Sequence, residues 1–142
     1  MSDINETIVR RFVDEIINNG DYSALRELVH PDYVYRSPDQ ELHGPAALED
    51  LFAAYRAGIP DLVTTIDELI VAGDTVVISI TLTGTHTGNL MGIPATGNPL
   101  SVHGMVRSRL QDGKIIEEWE ILDMLGMFQQ LGVISFPSEA AA

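Results

Sequence analysis

The chain has 142 residues, of which 45% are hydrophobic, and its formal net charge is −13, from 21 acidic and 8 basic residues. This composition indicates one globular domain with a sizeable core and excludes an intrinsically disordered chain. The negative charge makes nucleic acids and anionic membrane surfaces poor partners. The lack of cysteine excludes disulfide bonds, thiolate metal sites and cysteine nucleophiles.

The pattern of the N-terminal half predicts mainly helices. Apolar residues recur at helical spacing over 4–17, and Gly20 can end this helix in a left-handed conformation. A short second helix is predicted over 24–29, followed by a short extended piece at 33–35. Gly-Pro begins a third helix over 45–58, and Gly-Ile-Pro closes it.

From residue 63 the periodicity changes from helical to alternating. Strands are predicted over 63–71, 75–86, 100–110 and 114–122, and a last helix over 124–131. Helices first and an antiparallel meander afterwards predict an α+β fold, in which the helices cover one face of a curved sheet. Such an arrangement leaves a cavity between the helices and the sheet, where a small ligand can bind.

The last two strands form a hairpin whose register decides which acids face the core. A two-residue turn at 112–113 puts Asp123 on the face of Val106. A three-residue turn, with the glycine of 112–113 in a bulge, puts Glu118 and Glu120 there instead. A shift of one residue turns every side chain to the opposite face, so both registers stay open at this point.

Several short motifs stand in a fixed order: His30-Pro31-Asp32-Tyr33, His43-Gly44-Pro45, Gly84-Thr85-His86-Thr87-Gly88, Met91-Gly92-Ile93-Pro94-Ala95-Thr96-Gly97, Asp112-Gly113-Lys114-Ile115, and Trp119-Glu120-Ile121-Leu122-Asp123-Met124-Leu125-Gly126. Their order and spacing resemble those of the SnoaL-like polyketide cyclases, which belong to the nuclear transport factor 2-like superfamily with ketosteroid isomerase and limonene epoxide hydrolase. The resemblance extends from the first helix to Gly132.

This resemblance implies a cone-shaped barrel of a mostly antiparallel sheet wrapped around N-terminal helices, a deep apolar pocket, a homodimer and no cofactor. The family's catalytic Asp falls at Glu120, its substrate-contacting Asn at Tyr35 and a partner His at Val106. Glu118 stands where relatives often carry His. These matches favour the register with both glutamates facing the pocket, but the changes at Glu120 and Val106 alter the reacting groups of the family's anthracycline-type cyclases.

The candidate catalytic residues are Glu120, Glu118 and Asp123. A carboxylate in an apolar pocket has a raised pKa and can act as a general base, and a second carboxylate nearby raises one of the two pKa values further. We expect Glu120 to be the base and Glu118 its electrostatic neighbour. The alternative is a solvated strand, with Glu118 paired to a surface arginine such as Arg107. The alternative for Asp123 is the N-cap of the last helix.

The candidate substrate-binding residues are Tyr35, His86, Val106, Phe12, Phe52, Tyr55 and Met91. The hydroxyl of Tyr35 and the imidazole of His86 could bind a substrate oxygen, while the others could form an apolar wall. Their alternatives are a core-edge position for Tyr35, a structural hydrogen bond for His86 and ordinary core packing for the rest. No group of side chains has metal-ligand spacing, so we predict no metal.

We therefore expect a cofactor-free enzyme that acts on a polyketide-like or otherwise apolar carbonyl compound by carboxylate acid–base chemistry. The alternatives are an epoxide hydrolase of the same fold and a non-catalytic small-molecule binding protein. Without a signal-peptide pattern or an apolar run of about 20 residues, a cytoplasmic protein is expected. It would be one domain over 1–142 with a flexible tail over about 135–142, and Trp119 on the outer sheet face would mark a homodimer interface.

Overall fold

The fold is an α+β arrangement of helices packed on one face of a six-stranded sheet, as predicted. The computed structural model describes residues 2–135, so the predicted tail lies, apart from its first residue, outside the described residues. The helices are α1 (Ser2–Arg11), which continues as a π-helix (Phe12–Asn18), a 3₁₀ turn (Tyr22–Ala24), α2 (Leu25–Leu28), α3 (Pro45–Gly58) and α4 (Met124–Leu131).

The strands are β1 (Val29–Ser37), β2 (Gln40–His43), β3 (Val63–Ala72), β4 (Thr75–Thr85), β5 (Pro99–Gln111) and β6 (Lys114–Leu122). They lie in the order β2-β1-β6-β5-β4-β3, with β1 parallel to β6 and every other pair antiparallel. The sheet is curved but does not close, since β2 and β3 are its edges. The extended piece predicted at 33–35 is a longer strand, and β2 was not predicted.

The N-terminal helix owes its position to polar contacts at its C-terminal end. Its π-helical turn buries Phe12, Val13 and Ile16 against the sheet. The guanidinium of Arg56 on α3 donates hydrogen bonds to the carbonyl oxygens at the end of this turn, where no helical partner remains. The side chain of Asn18 accepts from the Thr64 amide at 2.6 Å and donates to the Thr64 carbonyl at 2.9 Å. The π-helix is thereby fixed to both α3 and β3.

The hairpin between β5 and β6 combines features of the two predicted registers. Gln111 pairs with Lys114 across a two-residue turn with positive φ at both central residues, the favoured geometry for this connection. The pairing then shifts by one residue, because Leu110 pairs with Ile115 whereas Arg109 pairs with Glu117. The bulge therefore lies at residue 116 in β6. The three-residue-turn alternative required it at the turn glycine.

This bulge sets the direction of every later side chain in β6. Beyond it, Ser108 pairs with Glu118 and Val106 pairs with Glu120. Ser108 and Val106 face the helices and are buried, so both glutamates point inward with them. Of the two alternatives left open by the sequence, the inward orientation of the glutamates is the one that the structure has.

A close approach in the sheet determines the position of Leu122. Gly104 pairs with Leu122, and a Cβ atom added at Gly104 would contact the Leu122 side chain and lie 2.9 Å from the Ile121 carbonyl oxygen. The side chain of Leu122 thus occupies the space that a Cβ would fill.

None of the described helices is long and apolar enough to cross a membrane.

We predict that Gly104→Ala destabilises the protein by about 1–3 kcal/mol, because the added methyl group must displace Leu122 and the β6 backbone. In an ordinary strand position the same change would be neutral or stabilising. Urea denaturation monitored by circular dichroism measures the effect. Ser101→Ala, at an exposed position of the same strand, is the control and should change the free energy of unfolding by less than about 0.5 kcal/mol.

Candidate active site

Two connected cavities lie between the helices and the inner face of the sheet. The outer cavity has a volume of about 720 Å³ and opens between the β1–β2 turn, the loop before β5 and the start of α4. The inner cavity, of about 50 Å³, lies deeper, under the N-terminal helix and α3. The two share five lining residues, Tyr35, Leu51, Tyr55, Glu120 and Leu122, so they meet at that ring of side chains.

Glu120 lies where the two cavities meet. Its Oε1 accepts a hydrogen bond of 2.5 Å from the hydroxyl of Tyr35 on the neighbouring parallel strand β1. Burial raises the pKa of Glu120, and the hydrogen bond from Tyr35 opposes that rise. Burial and the nearby charge of Glu120 also raise the pKa of Tyr35, which keeps its phenol protonated as the donor. The pair is a carboxyl group held in position by a neutral hydroxyl.

Glu118 forms a second, deeper pair of the same kind. Its Oε1 accepts from the Tyr33 hydroxyl at 2.6 Å, and its Oε2 accepts from the Ser108 hydroxyl at 2.8 Å. Only 5% of the residue is exposed. Burial raises the pKa of Glu118 to about 7, the charge of Glu120 adds to the rise, and the two hydrogen bonds limit it. Both oxygens are therefore occupied by protein donors.

The site lacks positive charge: in the described part of the chain, no lysine, arginine or histidine lines either cavity. Hydroxyl groups are thus the donors available to the two carboxyl groups. Tyr55, on α3, is a third phenol at the meeting point, and burial together with the charge of Glu120 raises its pKa to about 12. The site can hold and move a proton without bringing in a cationic side chain.

Most of the predicted apolar wall lies around these groups. Phe12 and Phe52 pack edge to face, with ring centroids 5.8 Å apart, and both line the inner cavity together with Tyr55 and Val106. Met91 lines the outer cavity and is exposed. The structure therefore brings these predicted residues to the same two cavities as Glu118, Glu120 and Tyr35.

Asp123 combines the two alternatives considered for it. Its Oδ1 accepts a hydrogen bond of 2.9 Å from the amide of Gly126, which makes it the N-cap of α4. It also lines the outer cavity, where it is exposed to solvent. Its carboxylate is thus engaged in capping and lies at the rim, away from the paired glutamates.

His86 is the predicted site residue that the structure does not bring to the cavities. It is completely buried, and its Nδ1 accepts from the Thr96 amide at 3.2 Å and lies 2.9 Å from the Thr96 hydroxyl. Because it lines neither cavity, the structural hydrogen bond that was its alternative describes it better than a contact with substrate. The predicted strand included His86, but β4 ends at Thr85, so strand alternation does not set the direction of this side chain.

The partners of Glu118 were not predicted. Tyr33 lies two residues before Tyr35 and so faces the same way in β1, and Ser108 lies two residues after Val106 in β5. Strand alternation alone could have placed both near the glutamates once the register was known.

Among residues 2–135, no group of three or more histidine, aspartate and glutamate side chains could hold a metal ion.

Comparison with known proteins agrees with this architecture. A family model described as SnoaL-like polyketide cyclase matches residues 7–131. Aklanonic acid methyl ester cyclase DnrD of Streptomyces peucetius is 34% identical over 134 residues, covering 88% of each chain. A SnoaL-like protein from Jannaschia sp. CCS1 superposes with a TM-score of 0.87 at 26% identity, covering 94% of this chain and 95% of that one. AclR of Streptomyces galilaeus, described as a candidate hydroxylase, gives a TM-score of 0.84 at 28% identity and covers 95% and 100%.

The raised pKa of Glu118 predicts a pH-dependent stability. Between pH 4.5 and about 7 the folded protein holds a proton on this group that the unfolded chain releases, so the free energy of unfolding falls as the pH rises through this window. Glu118→Gln removes the titrating group. Chemical denaturation at pH 5 and pH 8 should show that the variant gains stability relative to the native protein at pH 8, on the order of 2 kcal/mol.

Glu68→Gln, at an exposed position of β3, is the matched control for the loss of one charge. It should leave the pH dependence of the native protein unchanged. A Glu118→Gln variant that keeps the native pH dependence would show that another group is responsible.

Proposed function

The chain belongs to the SnoaL-like polyketide cyclase family, and from this premise we propose that it closes a ring in a polyketide-like carbonyl substrate by an intramolecular aldol reaction. The observation that carries the proposal is the position of Glu120, whose carboxyl group lies where the two cavities meet and is held there by Tyr35. A substrate in the outer cavity would present its reacting carbon to this group.

In the proposed reaction, the carboxylate of Glu120 removes a proton from a carbon between two carbonyl groups. The resulting enolate carbon attacks a second carbonyl carbon of the same molecule and forms the new carbon–carbon bond. The carbonyl oxygen becomes an alkoxide and takes the proton back from Glu120. The product has the same mass as the substrate, and the protein ends in its starting protonation state.

Hydrogen-bond occupancy distinguishes the two glutamates as candidates for the base. Both oxygens of Glu118 accept from protein hydroxyls, whereas Glu120 accepts from Tyr35 through Oε1 and, among the described residues, has no protein donor on Oε2. We therefore assign Oε2 of Glu120 to the proton transfer. Glu118 is its electrostatic neighbour, since the charge of Glu120 helps to raise the pKa of Glu118.

The enolate and alkoxide oxygens need donors, and phenols are the available ones. Tyr35 and Tyr55 line both cavities beside Glu120. Because the hydroxyl hydrogen of Tyr35 is donated to Glu120, Tyr55 is the phenol that can donate to a substrate oxygen. A neutral phenol aimed at the position where negative charge develops stabilises it without creating an ion pair in the substrate-free site. Such a phenol would replace, as hydrogen-bond donor, the imidazole that the family pattern has at the position of Val106.

Hydrolysis of an epoxide finds less support in this site. That reaction needs a water molecule held by polar side chains next to the carboxylate. In the part of the chain that the structure describes, no asparagine or arginine lines either cavity, and the inner cavity is almost entirely apolar.

We predict that Glu120→Gln lowers the turnover of a ring-closing β-dicarbonyl substrate by about 10²–10⁴-fold, the contribution of one general base. The amide is nearly isosteric with the carboxyl group, so folding should be retained. Mass spectrometry combined with chromatography follows the change, because substrate and product differ in retention but not in mass. Glu68→Gln serves as the control on the exposed face.

Turnover that survives in Glu120→Gln would remove this residue from the mechanism. Native mass spectrometry of freshly purified protein then tests the non-catalytic alternative. A retained and chemically unaltered apolar ligand would favour a binding protein.

We also propose that the protein forms a homodimer through the outer face of the sheet. Met105, Trp119 and Ile121 are 53%, 39% and 60% exposed and lie side by side on that face, since Met105 pairs with Ile121. Three arginines, Arg36, Arg107 and Arg109, surround Glu117 on the same face. In a chain with a net charge of −13, this is a face that a second acidic copy can approach without strong repulsion.

Accordingly, Ile121→Lys should convert the dimer into a monomer, because it puts a charge into the apolar centre of the proposed interface. Sedimentation equilibrium gives the mass of the native protein and of the variant. Ile4→Lys is the control, since Ile4 is 57% exposed on α1, away from the sheet face. A native protein that sediments as a monomer would contradict the proposal.

A further inference from the structure

The inner cavity is a separate chamber beyond the proposed base. It begins at the ring of side chains around Glu120 and extends across the sheet beneath the N-terminal helix. On the sheet, Glu120 pairs with Val106 and Val106 with Ile78, so the three lie in one row across neighbouring strands. With a strand spacing of about 4.8 Å, Ile78 lies about 10 Å from Glu120 along this row.

The chemistry of the chamber restricts what it can hold. Its walls are almost entirely hydrocarbon, and both oxygens of Glu118, its deepest acid, are occupied by Tyr33 and Ser108. Among the described side chains, none that lines the chamber carries a positive charge. Away from Glu120, water or a charged group there would lose hydrogen bonds, whereas a hydrocarbon group would lose none.

The size of the chamber restricts its occupant further. A cavity volume of about 50 Å³ accommodates about two methyl-sized groups, since a cavity of about 150 Å³ holds the six carbons of benzene. An aromatic or fused ring system exceeds this volume and fits only the outer cavity of about 720 Å³. When the reacting carbon of a ring substrate contacts Glu120, only a short substituent of that substrate can therefore extend into the inner cavity.

We propose that the inner chamber is a subsite for a short, unbranched alkyl substituent, about ethyl to propyl in length, on the ring system or carbonyl that occupies the outer cavity. The proposal rests on the proposed function in so far as Glu120 marks the reacting carbon. Ile78 is the residue to which we assign the limit on chain length, because it is the last residue of this row that lines the inner cavity. The next residue across the sheet, Leu69, lines neither cavity.

A series of 2-naphthyl alkyl ketones, from methyl to hexyl, tests this proposal by binding alone. The naphthyl ring is too large for the chamber, so the alkyl tail must enter it. NMR titration of the native protein should show the dissociation constant falling about fourfold with each added methylene up to ethyl or propyl. It should rise again from butyl to hexyl, whose tails no longer fit.

The variant Ile78→Ala should move the optimum one or two carbons toward longer tails, because it removes the end wall of the chamber. Ile115→Ala is the matched control, since Ile115 is completely buried on β6 but lines neither cavity. If either alanine variant fails to fold, Ile78→Val and Ile115→Val make the same comparison with the loss of one methylene.

A dissociation constant that does not depend on tail length in the native protein, or an optimum that Ile78→Ala leaves in place, would overturn the proposal. These results are independent of turnover. Full activity of Glu120→Gln would refute the assigned base while the binding profile still reports on the chamber. A flat binding profile with an inactive Glu120→Gln would refute the chamber alone.

Discussion

The site depends on one constraint, the one-residue bulge that turns the acids of β6 toward the helices. Without the shift between Leu110 and Arg109, the two-residue turn would point Trp119 and Ile121 into the core and Glu118 and Glu120 into solvent. The protein would then have an apolar core and an acidic outer face. With it, two carboxyl groups lie in an apolar environment, at a cost in solvation that phenol and hydroxyl donors partly offset.

The parallel pairing of β1 with β6 supplies those donors. Tyr35 is the neighbour of Glu118 in the strand register, yet its hydroxyl reaches Glu120 two residues farther along. Tyr33 makes the equivalent bond to Glu118. The same phenol–carboxyl pair thus occurs twice on one face, once at the meeting point of the cavities and once in the buried interior. Their different positions give them different chemistry: the first can meet a substrate, and the second is saturated by protein donors.

Most of the fold followed from the sequence, because helical and alternating periodicities are strong over 4–17, 45–58 and 63–131. The last strand and helix begin and end where they were predicted. Three things could not be read from periodicity. The bulge at residue 116 has no local signature, β2 is too short and polar to show a pattern, and His86 lies one residue past the end of its strand. Periodicity describes one segment at a time, whereas each of these features is set by how a segment pairs with its neighbour.

The resemblance to the family implies an Asp and an Asn where this chain has Glu120 and Tyr35, and the hydrogen bond between these two residues relates the two positions to each other. A glutamate has one more rotatable bond than an aspartate, so a free Glu120 would sample more positions and lose more entropy when a substrate fixes it. Tyr35 is long enough to reach its Oε1 and hold it in one orientation. The hydrogen bond from Tyr35 therefore supplies the rigidity that the longer side chain of Glu120 would otherwise lack.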